Sequence, residues 1–338
     1  MKIAIHHRNN SFSQRWIEYC KENDIAFMLV NCFDSNIMSQ LKDCDVLMWH
    51  WSHEDPKAKL FAKQLMFSLE KASKRVFPNS NTVWHFDDKV AQKYLLEAIE
   101  APLVNSYVFY SKEESFNWIE KATFPKVFKL RGGAGSINVK LVKNKGTAKK
   151  LVRKSFDKGF GASGRKELMR NRLWHFRKDK NINTFLGILK GLGRLFLKTD
   201  LEKMSGREKG YAYFQDFIPN NNSDTRVIVI GNKAFAIERI IRKNDFRASG
   251  SGIIKYPDND SMDKRCIEIA FEISKKLQSQ CTAYDFVYKD NTPLIIEISY
   301  GFTEKVYYPC KGYWDDELNW HKGSFNPQYF MIEDILNT

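Results

Sequence analysis

The chain has 338 residues, 43% of them hydrophobic and 14% aromatic, which suits a globular protein of two or three domains with sizeable cores. No stretch approaches about 18 uninterrupted apolar residues, and the apolar run in the opening MKIAIHHRNN is far too short for a signal peptide; a transmembrane or secreted protein is disfavoured and a cytoplasmic one expected. The six cysteines, Cys20, Cys32, Cys44, Cys266, Cys281 and Cys310, show neither CxxC nor paired-His spacing, which argues against zinc and against a disulfide frame and leaves buried free thiols. A formal charge of +14 raises nucleic acid or an anionic surface as a partner, yet residues 140–210 hold 21 Lys+Arg against 6 Asp+Glu and the remainder is close to neutral. The basicity belongs to one segment.

Residues 1–80 alternate strand-like and helix-like runs. KIAIHH, AFMLVNC, DVLMWHW and RVFPN read as strands, with SFSQRWIEYCKEN, SNIMSQLKDC and PKAKLFAKQLMFSLEKAS as helices between them. This rhythm predicts an α/β fold with a small parallel sheet, and such sheets bind ligands outside the carboxyl ends of their strands. Those ends carry His6, His7 and Arg8, then Asn31, then His50, Trp51 and Ser52; Arg8, His50 and Trp51 are candidate substrate contacts. No GxGxxG follows the first strand, so a dinucleotide fold is disfavoured.

From Asp87, DDKVAQKYLLEAIEAP reads as a helix capped by acidic residues and stopped before Pro102. SYVFYS is a strand, KEESFNWIEKA a helix and FPKVFKL a strand. RGGAGSINVKLV then places Gly132, Gly133, Gly135 and Ser136 between two strands, a loop whose bare amides suit closure over phosphate, with Lys129 just before it as a point charge. A plain glycine turn is the alternative. Thr147 to Phe160 reads as a helix and 161–208 as an insertion. Within it, Phe185, Ile188, Leu189, Leu192, Leu195 and Phe196 fall on one helical face and Lys190, Arg194 and Lys198 on the other. Such a basic amphipathic helix packs on its own protein, or meets a membrane surface or a protein partner, with RNA less favoured. Gly187, Gly191 and Gly193 weaken the helix. From Tyr211 to Gly252 two strands are expected, joined at Gly231-Asn232 and followed by a loop, and Arg226, Arg239 and Arg247 are placed to clamp anionic oxygens. SMDKRCIEIAFEISKKLQ is a helix, Thr303 to Trp320 is rich in Tyr, Trp and Pro, and NPQYFMIEDILN closes as a helix.

The most informative stretch is TAYDFVYKDNTPLIIEISYGF, Thr282 to Phe302. Two apolar runs flank turn chemistry, which predicts an antiparallel hairpin. With Lys289 opposite Pro293, Asp285 faces Glu297 and Ala283 faces Ser299, so Asp285, Glu297 and Ser299 share one face. Opposed carboxylates among Leu294, Ile295, Ile296 and Ile298 are costly unless something positive lies between them, and oxygen ligands on adjacent strands suit Mg²⁺.

The order of these parts from Phe77 to Phe302 resembles the ATP-grasp superfamily, most closely the branch with the RimK-type glutamate ligases, with glutathione synthetase and D-alanine–D-alanine ligase more distant. The carrying residues are Asp88-Lys89, FPKVFKLRGGAGSINV, YFQDFIPNNNSDTRVIVIGNKAFAIER, NDFRASG and AYDFVYKDNTPLIIEIS. The resemblance implies an ATP-grasp fold, two α+β lobes gripping ATP, preceded by the parallel-sheet domain. The expected divisions are 1–85, then 86–210 with the glycine loop and insertion, then 211–338 with the metal site and tail. It further implies that Lys89 and Lys129 reach the nucleotide phosphates and that the loop at Gly132 to Ser136 covers them. Gln215, Phe217 and Ile218 would hold adenine, Asp285 and Glu297 one or two Mg²⁺ ions, and Arg247 the transferred phosphoryl group. Ser299 stands where the family has Asn as a further ligand, which puts the second metal in question.

The activity implied is ATP-dependent joining of a carboxylate to an amine through an acyl phosphate, with release of ADP and phosphate. Arg8, His50 and Arg239 are candidates to hold the carboxylate. The aromatic residues Trp49, Trp51, Tyr300, Phe302, Tyr307, Tyr308 and Trp314 suggest stacking on sugar, and with the basic insertion they point to a sugar-linked acid of a surface polysaccharide precursor handled at a membrane. The rival readings are a kinase on the same fold and a non-catalytic ATP- or RNA-binding module.

Overall fold

The computed structural model describes the chain outside residues 53–54, 134–137, 243–244, 338 and most of 162–205. In chain order the elements are β1 (Ile3–His6), α1 (Ser13–Glu22), β2 (Phe27–Val30), α2 (Ile37–Gln40), β3 (Val46–Met48), α3 (Ala58–Lys71), β4 (Arg75–Phe77), α4 (Ser80–Val83), α5 (Lys89–Ala98), β5 (Ser106–Phe109), α6 (Lys112–Lys121), β6 (Lys126–Lys129), β7 (Val139–Val142) and α7 (Lys145–Phe156). They continue with β8 (Ala212–Asp216), β9 (Ser223–Ile230), β10 (Lys233–Ile240), β11 (Ile254–Lys255), α8 (Lys264–Leu277), β12 (Cys281–Lys289), β13 (Thr292–Ser299), β14 (Gly312–Asp315), β15 (Trp320–Lys322) and α9 (Pro327–Asn337). The chain forms two units. One comprises Met1–Phe86, Tyr94–Leu103 and Asn220–Thr338, the other Asp87–Lys93 and Val104–Pro219.

The first unit holds two sheets. β1 to β4 form a parallel sheet in the order β2-β1-β3-β4, as the βαβ rhythm predicts. Its alternating side chains go to two cores. Ile3, Ile5, Val46 and Met48 pack with Trp16 and with one face of the larger sheet, while Ala4, Leu47 and Val76 pack under α3. The larger sheet has seven strands, β13-β12-β9-β10-β14-β15 with β11 beside β10, and its neighbouring strands run antiparallel. Val227, Val229, Tyr284, Phe286 and Ile298 turn one face of it toward α8. The other face carries Ile228, Ile230, Ile237 and Ala283 and, further along the same strands, charged residues. α9 seals this face with Phe330, Met331, Ile332 and Ile335.

The second unit is built on a four-stranded antiparallel sheet, β5-β8-β6-β7. Phe128, Val142, Ala212 and Phe214 face α6 and α7. By alternation Ser106, Val127, Lys129, Tyr213 and Gln215 lie on the opposite face. Side-chain caps set the helix starts. Ser111 accepts from Glu114 N and Asn144 from Thr147 N, and Asp88 accepts from the amides of Val90 and Ala91, which makes Lys89 the first helical residue of α5.

Three sequence expectations need correction. Tyr211 to Gly252 supplies three main strands rather than two, because β8 joins the sheet of the second unit before the chain reaches β9. SNIMSQLKDC yields only the single turn Ile37–Gln40, with no side-chain cap at Asn36. Near the hairpin turn Lys289 pairs with Thr292 and Tyr288 with Pro293, because Asp290 and Asn291, at φ 49° and 63°, make a two-residue turn. A bulge between Asp285 and Phe286 then inserts one residue on β13 and restores the pairs Asp285–Glu297 and Ala283–Ser299. The β14–β15 hairpin had no clear signal in its Tyr- and Trp-rich sequence. All six cysteines are free and buried. Among the described residues no helix is long and apolar enough to cross a membrane.

Candidate functional site

In the first unit, three adjacent strands place Arg226 (β9), Asp285 (β12) and Glu297 (β13) directly opposite one another in register, on one face of the sheet. Asp285 is 5% exposed, and both of its oxygens are engaged. Arg226 Nε donates to Oδ1 at 2.6 Å and Arg239 Nη2 pairs with Oδ2 at 2.8 Å. Arg239 in turn grips Asp224 with two bonds, Nε to Oδ1 at 2.7 Å and Nη2 to Oδ2 at 2.6 Å. The result is an alternating chain, Asp224–Arg239–Asp285–Arg226, of zero net charge. Burial alone would raise the Asp285 carboxyl, but Arg226 and Arg239 overcome it and hold its pKa below the ordinary value. Burial likewise opposes the Arg239 charge, and Asp285 and Asp224 outweigh it.

Positive charge does meet Asp285, as the guanidiniums of Arg226 and Arg239 on β9 and β10, which lie on the side of β12 opposite to β13 and Glu297. An ion remains compatible with the donor set, which is all oxygen and suits Mg²⁺, and each Asp285 oxygen keeps a lone pair beyond its arginine bond. Ser299 is a poorer ligand than its position suggests, because its hydroxyl donates to Gly301 O at 3.2 Å and lies 3.3 Å from Gly301 N. Among the described residues no group of three or more His, Cys, Asp or Glu is arranged to hold a metal. Arg247, the third arginine, is not in this row. It is paired with Asp245 through Nε to Oδ1 at 2.9 Å and Nη2 to Oδ2 at 2.8 Å.

In the second unit the phosphate-type residues converge on the start of the glycine loop. Lys89, nearly buried at the head of α5, donates to Gly133 O at 2.8 Å, and Gly133 N donates to Asp87 Oδ1 at 2.7 Å. Gly133 has φ 121°, a backbone open to glycine, and Asp87 itself lies at φ 55°. A Cβ at Gly132 would lie 3.3 Å from Asp87 Oδ2, so the loop base needs its small residues to sit against the aspartate. Arg131 N donates to Tyr211 Oη at 2.6 Å, and that hydroxyl donates to Glu208 Oε2 at 2.9 Å. Gly135 and Ser136 lie outside the described residues. Lys129 and Gln215, both buried, share the face away from the helices, and half-buried Phe217 and Ile218 follow β8.

The remaining candidates lie at the carboxyl ends of β1 and β3. His50 stacks on Phe12 with ring centroids 3.6 Å apart, its Nδ1 accepts from Phe12 N at 3.3 Å, and Ser11 Oγ is 3.1 Å away. Arg8 is fixed at its backbone by Ser13 Oγ. Trp51 is 3% exposed and packs on Phe86 and Tyr300, so its ring belongs to the core. The same holds for Trp49, Tyr300, Phe302, Tyr307 and Trp314, which are all buried. These six rings are covered by neighbouring side chains, whereas Tyr308 is half-buried with the Arg15 guanidinium 5.5 Å from its ring centroid; of the residues expected to stack on sugar, Tyr308 is the one left. Lys190, Arg194 and Lys198 lie outside the described residues.

Sequence reasoning missed Asp224, Asp87 and Ser106 as parts of these sites. Asp224 had a signal: it stands two residues before Arg226 on one strand, hence on the same face. Asp87 had none, since its role depends on a loop 46 residues away along the chain.

Residues 197–306 match the family model of the RimK-like ATP-grasp domain. Among solved structures, the chain is similar to a RimK domain ATP-grasp protein from Sphaerobacter thermophilus, at 15% identity and TM-score 0.52, over 88% of this chain and 90% of that one. It is similar to the ATP complex of D-alanine–D-alanine ligase from Bacillus anthracis at 13% identity and TM-score 0.55, over 91% and 90% of the two chains. A D-cycloserine synthetase aligns over 100% of this chain and 99% of its own, at 12% identity and TM-score 0.59. No curated protein sequence matches the chain. The fold is that of the ATP-grasp proteins, and residues 197–306 are similar to their RimK-like domain.

Proposed function

We propose that the protein is an ATP-dependent carboxylate–amine ligase that activates a small-molecule acid as an acyl phosphate and transfers it to an amine, releasing ADP and phosphate. The observation that carries this reading is the register row Arg226–Asp285–Glu297 across three strands inside the RimK-like segment, with Asp285 buried and Arg226 and Glu297 partly exposed. A sheet needs no such row for stability, since buried ion pairs are at best a weak source of it. The two arginines at this row do supply preorganised guanidinium donors. Arg226 and Arg239 are locked by Asp285 and Asp224, so they need little reorganisation when negative charge develops on a transferring phosphoryl group. Within the second unit, Lys129 and Lys89 are assigned to the nucleotide phosphates, and Gln215, Phe217 and Ile218 to adenine, as the family resemblance implies. Gly132 and Gly133 stand at the start of the glycine loop that the family resemblance sets over the phosphates, with the Gly133 amide held by Asp87 Oδ1. Arg247, at present held by Asp245, is assigned to the transferred phosphoryl group. When Mg²⁺ is bound, Asp285 and Glu297 would hold it, and it would neutralise charge on the phosphate oxygens. Arg8 and His50 are retained as contacts for the acid or the amine. The sugar-linked acid is not retained, and a peripheral membrane or protein contact stays tied to 161–208.

The test is phosphate release from Mg·ATP across a panel of acids, amino acids and uronic acids included, crossed with amines, each reaction read by mass spectrometry. One pair that yields phosphate and a product lighter than the sum by one water supports the ligase. ADP release with a phosphoryl group added to one substrate, and no amine needed, points to the kinase instead. Tight ATP binding with no product in any combination refutes the catalytic reading.

A further inference from the structure

We propose that Tyr211 is a positioning residue for the glycine loop, tying the loop's first residue to the root of the insertion at 161–208; this rests on the nucleotide reading given above. The β6–β8 register ends at the pair Lys129–Tyr213. Arg131 and Tyr211, two residues further along, stand where the next pair on that face would fall. A backbone N–H can only donate, so the 2.6 Å contact of Arg131 N makes Tyr211 Oη its acceptor. The one hydroxyl proton is then left for Glu208 Oε2 at 2.9 Å. Burial, and then the charge of Glu208, push the Tyr211 pKa well up, so that proton stays in place across the ordinary pH range. Glu208 is itself fixed at its backbone, exchanging two bonds with Phe160 at 2.8 and 2.9 Å across the two ends of the insertion.

The other holds on the start of the loop come from the head of α5. Lys89 N donates to Arg131 O at 3.0 Å, Gly133 N donates to Asp87 Oδ1 at 2.7 Å, and Lys89 Nζ donates to Gly133 O at 2.8 Å. Lys89 Nζ is also assigned to the phosphates, so it must share its protons between them and Gly133 O. Tyr211 has no such second duty, and its hold on Arg131 N does not compete with a nucleotide. The Arg131 side chain adds little: its guanidinium lies 3.9 Å from both Asp88 and Glu208 and is 55% exposed. Tyr211 and the Lys89 amide thus grip Arg131 by its two backbone groups and set the direction in which the chain leaves Lys129 for the loop. A loop that starts in the wrong direction loses its fit to the phosphates. The base is spared, because Gln215, Phe217 and Ile218 lie at and beyond the far end of β8.

The experiment is equilibrium binding of the β,γ-imido analogue of ATP with Mg²⁺, and of adenosine, to the full chain by calorimetry. Hydrogen exchange at the start of the loop is followed in the same proteins. Tyr211→Phe keeps the ring and removes the hydroxyl. The ratio of the two affinities should fall about tenfold, the size expected for hydrogen bonds lost at one hydroxyl, and exchange of the Arg131 amide should quicken. Glu208→Ala should give the same result, because the hydroxyl proton then has no fixed acceptor. Glu208→Gln keeps an acceptor and drops the charge, and it should recover the wild-type ratio. If Tyr211→Phe does not fold, Glu208→Ala serves in its place. An unchanged ratio in the folded variant, or an equal loss for both ligands, overturns the positioning role. A wild type that binds neither ligand overturns the nucleotide reading and the effect on affinity with it. Exchange at Arg131 still tests the hold in that case, and an equal rate in wild type and Tyr211→Phe overturns it.

Discussion

Replacing Asp285 by Asn tests the buried charge chain and the function proposed for it together. In the wild type two aspartates balance two arginines, and Asp285 is the member bonded to both guanidiniums, at 2.6 and 2.8 Å. Asparagine keeps one acceptor and turns an amide donor toward the other arginine. One uncompensated positive charge is left in a site where Asp224 and Arg239 are also buried. Removing one partner of a buried pair costs about 3–5 kcal/mol. With a urea slope of about 2–3 kcal/mol/M, the unfolding midpoint should fall by about 1–2 M. Glu297→Gln is the comparison. Glu297 faces Asp285 in register but lies in a more open position, so its loss should cost about 1 kcal/mol or less. Both variants should lose phosphate release, whereas only Asp285→Asn should lose substantial stability. An unshifted urea midpoint for Asp285→Asn refutes the charge-chain argument. Full turnover in folded Asp285→Asn removes that carboxylate from the mechanism.

Lys129→Met, which keeps the length of the side chain and drops its charge, should weaken binding of the ATP analogue about 10–100-fold while leaving adenosine binding unchanged, as read by calorimetry. Gly231→Ala should destabilise the first unit by about 1–3 kcal/mol in urea unfolding, since Gly231 has φ +54° and a Cβ there would run into Asp334. His85 gives a pH dependence. Burial, with a smaller effect from Lys63, pushes its pKa down to about 4 from 6.5. A depressed pKa means that the folded protein resists taking up the proton while the unfolded chain accepts it, so stability is complete above about pH 6.5 and falls as the pH drops toward 4. Near 1.4 kcal/mol per unit that is a loss of about 3 kcal/mol. The slope of stability against pH in this window should be markedly shallower in His85→Phe, and an equal slope in both proteins refutes the assignment.

Much of this protein was legible in the chain alone, because strand and helix periodicity and turn chemistry are local. The parallel sheet of the first 80 residues followed from spacing and the glycine loop was visible from composition, while the pairing of Asp285 with Glu297 was expected from a register at Lys289 that is off by one and is met only because a bulge makes up the difference. The basic excess at 140–210 was a matter of counting. Tertiary structure decided what those residues touch. Whether Asp285 meets a cation depended on β9 arriving beside β12 and β10 beside β9, some 45–60 residues away in sequence, and they delivered arginines. The hairpin register near Lys289 was set by positive φ at Asp290 and Asn291, and the bulge corrected it before Asp285. Apart from half-buried Tyr308, the aromatic residues that looked available for a ligand were drawn into cores, since large rings gain most from burial and sequence does not say which faces will be covered. Residue type and spacing supplied the chemistry on offer, and long-range packing chose the partners, because hydrogen bonds and ion pairs form through space between strands that the chain order keeps apart.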